Sequence, residues 1–95
     1  MSYQLIFSDT AQHLFKNATP DLRVGFKRKL EQIKKRPTVG KPLLKKLAGY
    51  YSLRTRQLRI IYKILSERNI LEVHYLGPRR DMYEIVYQLK VGGQK

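Results

Sequence analysis

Between Tyr50 and Leu76 the chain carries three apolar segments rich in aromatic and β-branched residues, separated only by the short polar stretches Arg56-Gln57 and Ser66-Glu67-Arg68-Asn69. Consecutive strands joined by such short turns form an antiparallel meander, and this constrains the rest of the chain more than any other feature. Residues 50 to 56, 58 to 65 and 70 to 76 read as its strands. Side chains two apart on a strand share a face. Ser52, Arg54 and Arg56 therefore line one side of the first segment, with Leu53 and Thr55 on the other. In the second segment Arg59, Ile61 and Lys63 alternate with Ile60, Tyr62 and Ile64. The wholly apolar set predicts the core face, so Arg54, Arg56 and Arg59 are expected to converge on the uncovered face.

Upstream of the meander the patterning is mainly helical. Tyr3, Leu5 and Phe7 alternate with Ser2, Gln4 and Ile6 as a short strand, ending at Ser8-Asp9, where either side chain can cap a following helix. Leu14, Phe15 and Ala18 mark the inner side of that helix. Thr19-Pro20-Asp21 then supplies a capping hydroxyl, a residue pre-set for a first helical turn, and a carboxylate at the positive dipole end. Leu22, Phe26, Leu30 and Ile33 follow as one stripe, with Lys27, Arg28, Lys34 and Lys35 outward, until Pro37 forces a stop near Arg36. Thr38 to Gly49 reads as a packed connector. Beyond Gly77-Pro78, Met82, Ile85, Val86 and Leu89 have helical spacing, which predicts a terminal helix ended by Gly92-Gly93. The expected fold is α+β in the order β-α-α-β-β-β-α: an antiparallel sheet with two N-terminal helices packed on one face. With 95 residues, one core and a single domain over 1–95 are expected.

Charge narrows the function. Twenty Lys and Arg against seven Asp and Glu leave +13, and residues 1 to 22 contribute only one Lys against two Asp. The cationic surface thus belongs to the second helix and the sheet, where it attracts polyanions by counterion release. Nucleic acid and an acidic protein are the two partners it suits. The alternative is a merely soluble basic surface. The absence of cysteine removes disulfides and thiolate metal sites, and His13 and His74 stand far apart, so no cofactor is expected. The amino terminus has no basic segment followed by an apolar run, and no window is long enough for a membrane span. A cytoplasmic location is the expectation.

Two constellations can carry chemistry. Three guanidinium groups across a hairpin repel one another, and a phosphodiester offsets that repulsion while matching their planar forks. The competing reading is a charged edge that deters aggregation. Gly77-Pro78-Arg79-Arg80-Asp81-Met82-Tyr83 adds two arginines and a tyrosine, with Tyr87 four residues on. Either phenol can stack on a base or donate to phosphate, or simply pack on the sheet.

The run Tyr51-Ser52-Leu53-Arg54-Thr55-Arg56-Gln57-Leu58-Arg59-Ile60-Ile61-Tyr62, followed by the Gly77 to Tyr83 tail, resembles the RelE/ParE toxin superfamily, as does the connector from Lys41-Pro42-Leu43 to Leu47-Ala48-Gly49. The resemblance covers nearly the whole chain. It implies the toxin half of a type II toxin–antitoxin module, neutralised by an acidic RelB-like antitoxin. A RelE-like member would cleave mRNA on the ribosome, whereas a ParE-like one would poison DNA gyrase; a non-catalytic RNA-binding protein is the third reading. Carried over by position, Arg54, Arg59 and Arg79 would contact the scissile phosphate and Tyr83 would approximate the carboxy-terminal tyrosine. Ser52 departs from RelE, which has a lysine there, and Pro78 stands where some members have histidine or lysine. Lys45, Lys46, Arg56, Arg80 and Tyr87 are the further RNA-contacting candidates.

For RNA cleavage without a metal, the ribose 2′-OH would attack the adjacent phosphorus in line. Arginines aimed at the equatorial oxygens would stabilise the charge that builds there. Tyr83 is the first candidate for a proton-transfer role. His74, expected on one strand face with Glu72 and Leu76, is the alternative, although a lone strand histidine is more often structural.

Overall fold

Two capped helices lead into the sheet. In the computed structural model, which describes residues 3–79 together with Ile85, strand β1 (Gln4–Phe7) runs into helix α1 (Asp9–Lys16). Ser8 accepts the Ala11 amide hydrogen at 3.1 Å, satisfying one of the free donors of the first turn. Helix α2 (Pro20–Lys35) begins the same way, with Thr19 Oγ1 accepting from the Leu22 N–H at 3.3 Å and Pro20 opening the first turn. Phe26, Leu30 and Ile33 are buried along its inner stripe, with Leu22 half-buried beside them. After Pro37 comes a 3-10 turn, Pro37–Val39, then the two-residue strand β2 (Lys41–Pro42).

The meander follows as β3 (Tyr50–Arg54), β4 (Leu58–Leu65) and β5 (Ile70–Pro78). Its turns fall where the polar stretches do. At the first, Thr55 Oγ1 accepts from the N–H groups of Gln57 and Leu58, both at 3.2 Å. At the second, a 3-10 turn over Ser66–Arg68 ends on Asn69 in the left-handed region, at φ 55°. Asn tolerates that conformation better than most residues.

Among the described residues the sheet has five strands in the order β1-β5-β4-β3-β2. The meander is antiparallel as expected, and β2 adds an antiparallel edge strand. The sheet as a whole is mixed, because β1 pairs with β5 in parallel, Leu5 opposite Leu71. That arrangement places the first strand beside the last and closes the core over Leu71 and Val73. The two helices cover the face that carries Leu58, Ile60, Tyr62, Leu71, Val73 and Leu76.

The expected terminal helix, with Met82, Val86, Leu89 and the Gly92-Gly93 stop, lies outside the described residues. Ile85 alone is described there: it is helical and fully buried against Ile61 and Tyr75, on the sheet face opposite α1 and α2. No described helix is long and apolar enough to cross a membrane.

One contact ties the connector to the sheet. The Tyr62 hydroxyl donates to the Pro37 carbonyl at 2.6 Å and accepts from the Gly40 N–H at 3.0 Å, while its ring stacks on Tyr51 with centroids 5.6 Å apart. A Cβ on Gly40 would lie 2.6 Å from that phenolic oxygen, so the close approach requires glycine.

Candidate functional site

Register decides which arginines meet. Arg54 is directly opposite Arg59 across the β3–β4 hairpin, and Ser52 is opposite Ile61. Directly opposed residues on an antiparallel pair present their side chains to one face. Here that face is the one turned away from α1 and α2. On its other side Arg59 faces Gly77 of β5, and the Arg79 N–H donates to the Gln57 carbonyl at 3.2 Å, which fixes the chain as it leaves β5. Arg54 and Arg59 are thus brought together from adjacent strands, and Arg79 enters from the strand end beyond.

The three are not equivalent. Arg54 and Arg79 are exposed, whereas Arg59 is only 7% exposed and donates through Nη1 to Ser52 Oγ at 3.3 Å. Burial pushes the Arg59 guanidinium below its ordinary value, and the charges of Arg54 and Arg79 push the same way, with Tyr75 opposing them. A guanidinium stays protonated in such a setting. The open face therefore keeps its positive charge and suits an anion. Lys41, Ser52, Arg54 and Arg59, with Val39, Leu43 and Leu53, line a cleft of about 440 Å³ over this cluster.

Other expected site residues fall elsewhere. Arg56 is not on the strand face with Arg54: β3 ends at Arg54, because the Thr55 hydroxyl accepts from the Gln57 and Leu58 amides, and Arg56 stands exposed at the tip of the hairpin. Lys45 and Lys46 are exposed in the 3-10 turn Lys45–Leu47 and do not line the cleft. Arg80, Tyr83 and Tyr87 lie outside the described residues.

His74 is moved by a break in register. β5 carries an extra residue between the Ile61–Tyr75 and Tyr62–Val73 pairs, and that residue is His74. Strict alternation would have grouped it with Leu76. The bulge instead leaves Leu76 in the core opposite Ile60, and His74 meets Glu72 at 3.1 Å and makes a T-shaped contact with Tyr50, ring centroids 5.1 Å apart. Lys63 lies over the other part of this group, 4.8 Å from the Tyr50 centroid. Buried Ile61, Tyr75 and Ile85 stand between this polar group and the arginines. His74 is therefore not beside Arg59. Among the described residues no three His, Cys, Asp or Glu side chains gather as a metal-binding group.

Two residues at the cluster were not singled out from sequence. Tyr75 is buried with its hydroxyl beside Gly77, where a Cβ would come within 2.7 Å of it, and its phenol is close enough to influence Arg59. The bare glycine opposite Arg59 is what admits that ring. Lys41 reaches the cleft only because β2 pairs it with Ser52. A two-residue strand in a loop-like connector leaves no periodic signal.

An α+β chain with two helices on one face of a five-stranded mixed sheet has the fold of solved RelE-like toxin structures. Among solved structures it resembles the RelBE2 toxin–antitoxin complex of Mycobacterium tuberculosis at 26% identity and TM-score 0.76, covering 83% of this chain and 100% of that one. A mutant of the E. coli RelE toxin in the free state is 20% identical with TM-score 0.77, covering 96% of this chain and 97% of that one. The YoeB/ParE toxin from Agrobacterium tumefaciens is 20% identical with TM-score 0.71, covering 81% of this chain and 99% of that one. No protein-family model and no curated protein matches the sequence.

Proposed function

We propose that the protein is a RelE-like endoribonuclease toxin that cuts mRNA on the ribosome without a metal ion and so inhibits translation. The observation that carries this reading is the buried Arg59, flanked in charge by Arg54 and Arg79 at an open cleft. In-line attack of a 2′-OH on the adjacent phosphorus forms the cyclic phosphate and breaks the bond to the 5′-oxygen. Negative charge grows on the non-bridging oxygens as this happens. Guanidinium groups already held in place stabilise that charge without reorganising, so their effect is greatest in the transition state. Arg59, fixed by Ser52 and its own burial, is the anchor, and Arg54 and Arg79 close on the same phosphate. Tyr83 is the leading candidate for one of the two proton transfers.

The partner follows from the same charge. A chain at +13 with a crowded cationic face suits an acidic antitoxin laid across it, and the similar RelBE structures are toxin–antitoxin complexes. The proposed setting is the cytoplasm, where ribosomes and message meet. A gyrase-poisoning role is the second reading, supported by the likeness to a YoeB/ParE toxin. A non-catalytic RNA-binding role is the third.

Purified protein added to translating ribosomes separates these. The expected result is discrete cuts within codons, with RNA ends mapped at single-nucleotide precision. Intact message with cleaved gyrase-bound DNA would replace the reading with the second, and intact RNA and DNA together would leave only binding.

A further inference from the structure

The cleft has one cationic wall without a role. Lys41 is exposed on β2, opposite Ser52, and lines the cleft with Arg54 and Arg59. Its backbone is held from both sides. Just before it, the Gly40 N–H is bound by the buried Tyr62 hydroxyl; just after Pro42, the Leu43 N–H donates to the Tyr50 carbonyl at 2.8 Å. A lysine serving only solubility needs no such anchoring, since an exposed loop serves as well.

Taken across the sheet, the cations form a band. Lys41 is on β2, Arg54 on β3, Arg59 on β4, and Arg79 follows the end of β5. With neighbouring strands about 4.8 Å apart, β2 to β5 spans ~14 Å. Lys41 is also displaced along the strands, since it is opposite Ser52 whereas Arg59 is opposite Arg54, two residues further on. The arginines converge on Arg59, and Lys41 is left at the far edge.

Building on the RNA reading above, we propose that Lys41 forms a separate subsite for the phosphate adjacent to the scissile one, so that the cleft takes an oligonucleotide rather than a lone phosphate group. An ammonium on a flexible stem suits that place. It contributes a point charge to a backbone phosphate without the fixed fork that a reacting phosphorus demands. Val39 and Leu43 in the same wall offer apolar surface to the intervening sugar or base.

The test uses a short single-stranded RNA with 2′-O-methyl sugars, which 2′-OH attack cannot cleave, titrated by fluorescence anisotropy across a salt series. Lys41→Ala should weaken binding about fivefold at low salt and flatten the log-affinity against log-salt slope by ~0.7, the contribution of one phosphate contact on a single strand. Lys41→Arg should restore both. With message on translating ribosomes the loss in Lys41→Ala should appear in KM rather than kcat, as for a contact equal in ground and transition states. A Lys41→Ala slope equal to the parent's overturns the subsite and leaves the RNA reading standing. Parent protein that binds the oligonucleotide but leaves message on translating ribosomes uncut removes the nuclease reading, while a flattened slope still supports the subsite. No binding by the parent at all overturns the subsite, and the ribosome assay alone then decides the nuclease reading.

Discussion

The outer surface of α2 and the open face of the sheet are both strongly basic, yet they are built differently. On α2, Lys27, Arg28 and Lys35 project into solvent, Lys34 pairs with Glu31 at 3.4 Å, and Lys29 donates to Gln32 at 3.3 Å. Each charge is hydrated or locally matched, so its energy depends little on a ligand. On the sheet, a guanidinium is buried against a serine hydroxyl, with two more like charges acting on it. The difference teaches that a charge count locates attraction, whereas burial and register locate a site. A solvated helix face can raise the rate of encounter with a polyanion; only the organised face holds a phosphate in one geometry.

Substitutions that act on one region and spare the other can break this contrast. The largest effect is expected at Arg59. Arg59→Met keeps an apolar stem in the buried position and removes the charge, so message cleavage should fall on the order of 100-fold or more. The protein should stay folded by circular dichroism, because Met fills the buried position with an unbranched, adaptable chain. Wild-type cutting by this variant would show that the buried arginine is ordinary packing and dissolve the contrast.

A smaller effect is expected where the connector meets the sheet. Tyr62→Phe leaves the Pro37 carbonyl and the Gly40 N–H without their shared hydroxyl, costing about 1–3 kcal/mol by urea denaturation. The same residue gives a pH signature. Burial raises the Tyr62 phenol above its ordinary 10.0, outweighing the opposing bond from Gly40. Its contribution to stability is therefore complete below pH 10.0 and is lost as pH climbs through the raised folded value, since only the unfolded phenol ionises first. The urea midpoint should drop in that alkaline window, and Tyr62→Phe should show a shallower drop. Equal drops would mean that other tyrosines carry the effect.

The smallest effect belongs to the helix. Lys27→Gln, Arg28→Gln and Lys35→Gln combined should change stability by no more than about 0.5 kcal/mol per site. Any loss of cleavage should be confined to low salt, where long-range attraction survives. A salt-independent loss matching that of Arg59→Met would make α2 part of the site and erase the distinction between the two surfaces.

Much of the organised face was legible because its information is local. Alternation along residues 50 to 65 assigns Arg54 and Arg59 to one side and Ile60 and Tyr62 to the other, and the register bears that assignment out. Thr19-Pro20 and the Phe26, Leu30, Ile33 stripe likewise announce α2 and its inner face. Arg56 was misplaced because alternation does not say where a strand stops; Thr55, a turn-forming hydroxyl, decided that. His74 was misgrouped for a related reason, since a one-residue bulge shifts every later side chain relative to its expected face.

From its sequence alone the chain determined β1, the two N-terminal helices with their caps, the three strands of the meander, and which side of β3 and β4 is charged, because these follow from repeats of two or about four residues and from neighbours in the chain. Tertiary structure decided what those elements meet: β1 lying parallel beside β5, Lys41 delivered opposite Ser52 by a two-residue strand, Tyr75 folded over Gly77, and Arg59 buried beneath its fellow arginines. Each of these joins segments distant in the chain. Pairing at that range depends on which apolar faces can be covered together, and no local pattern of residues records it.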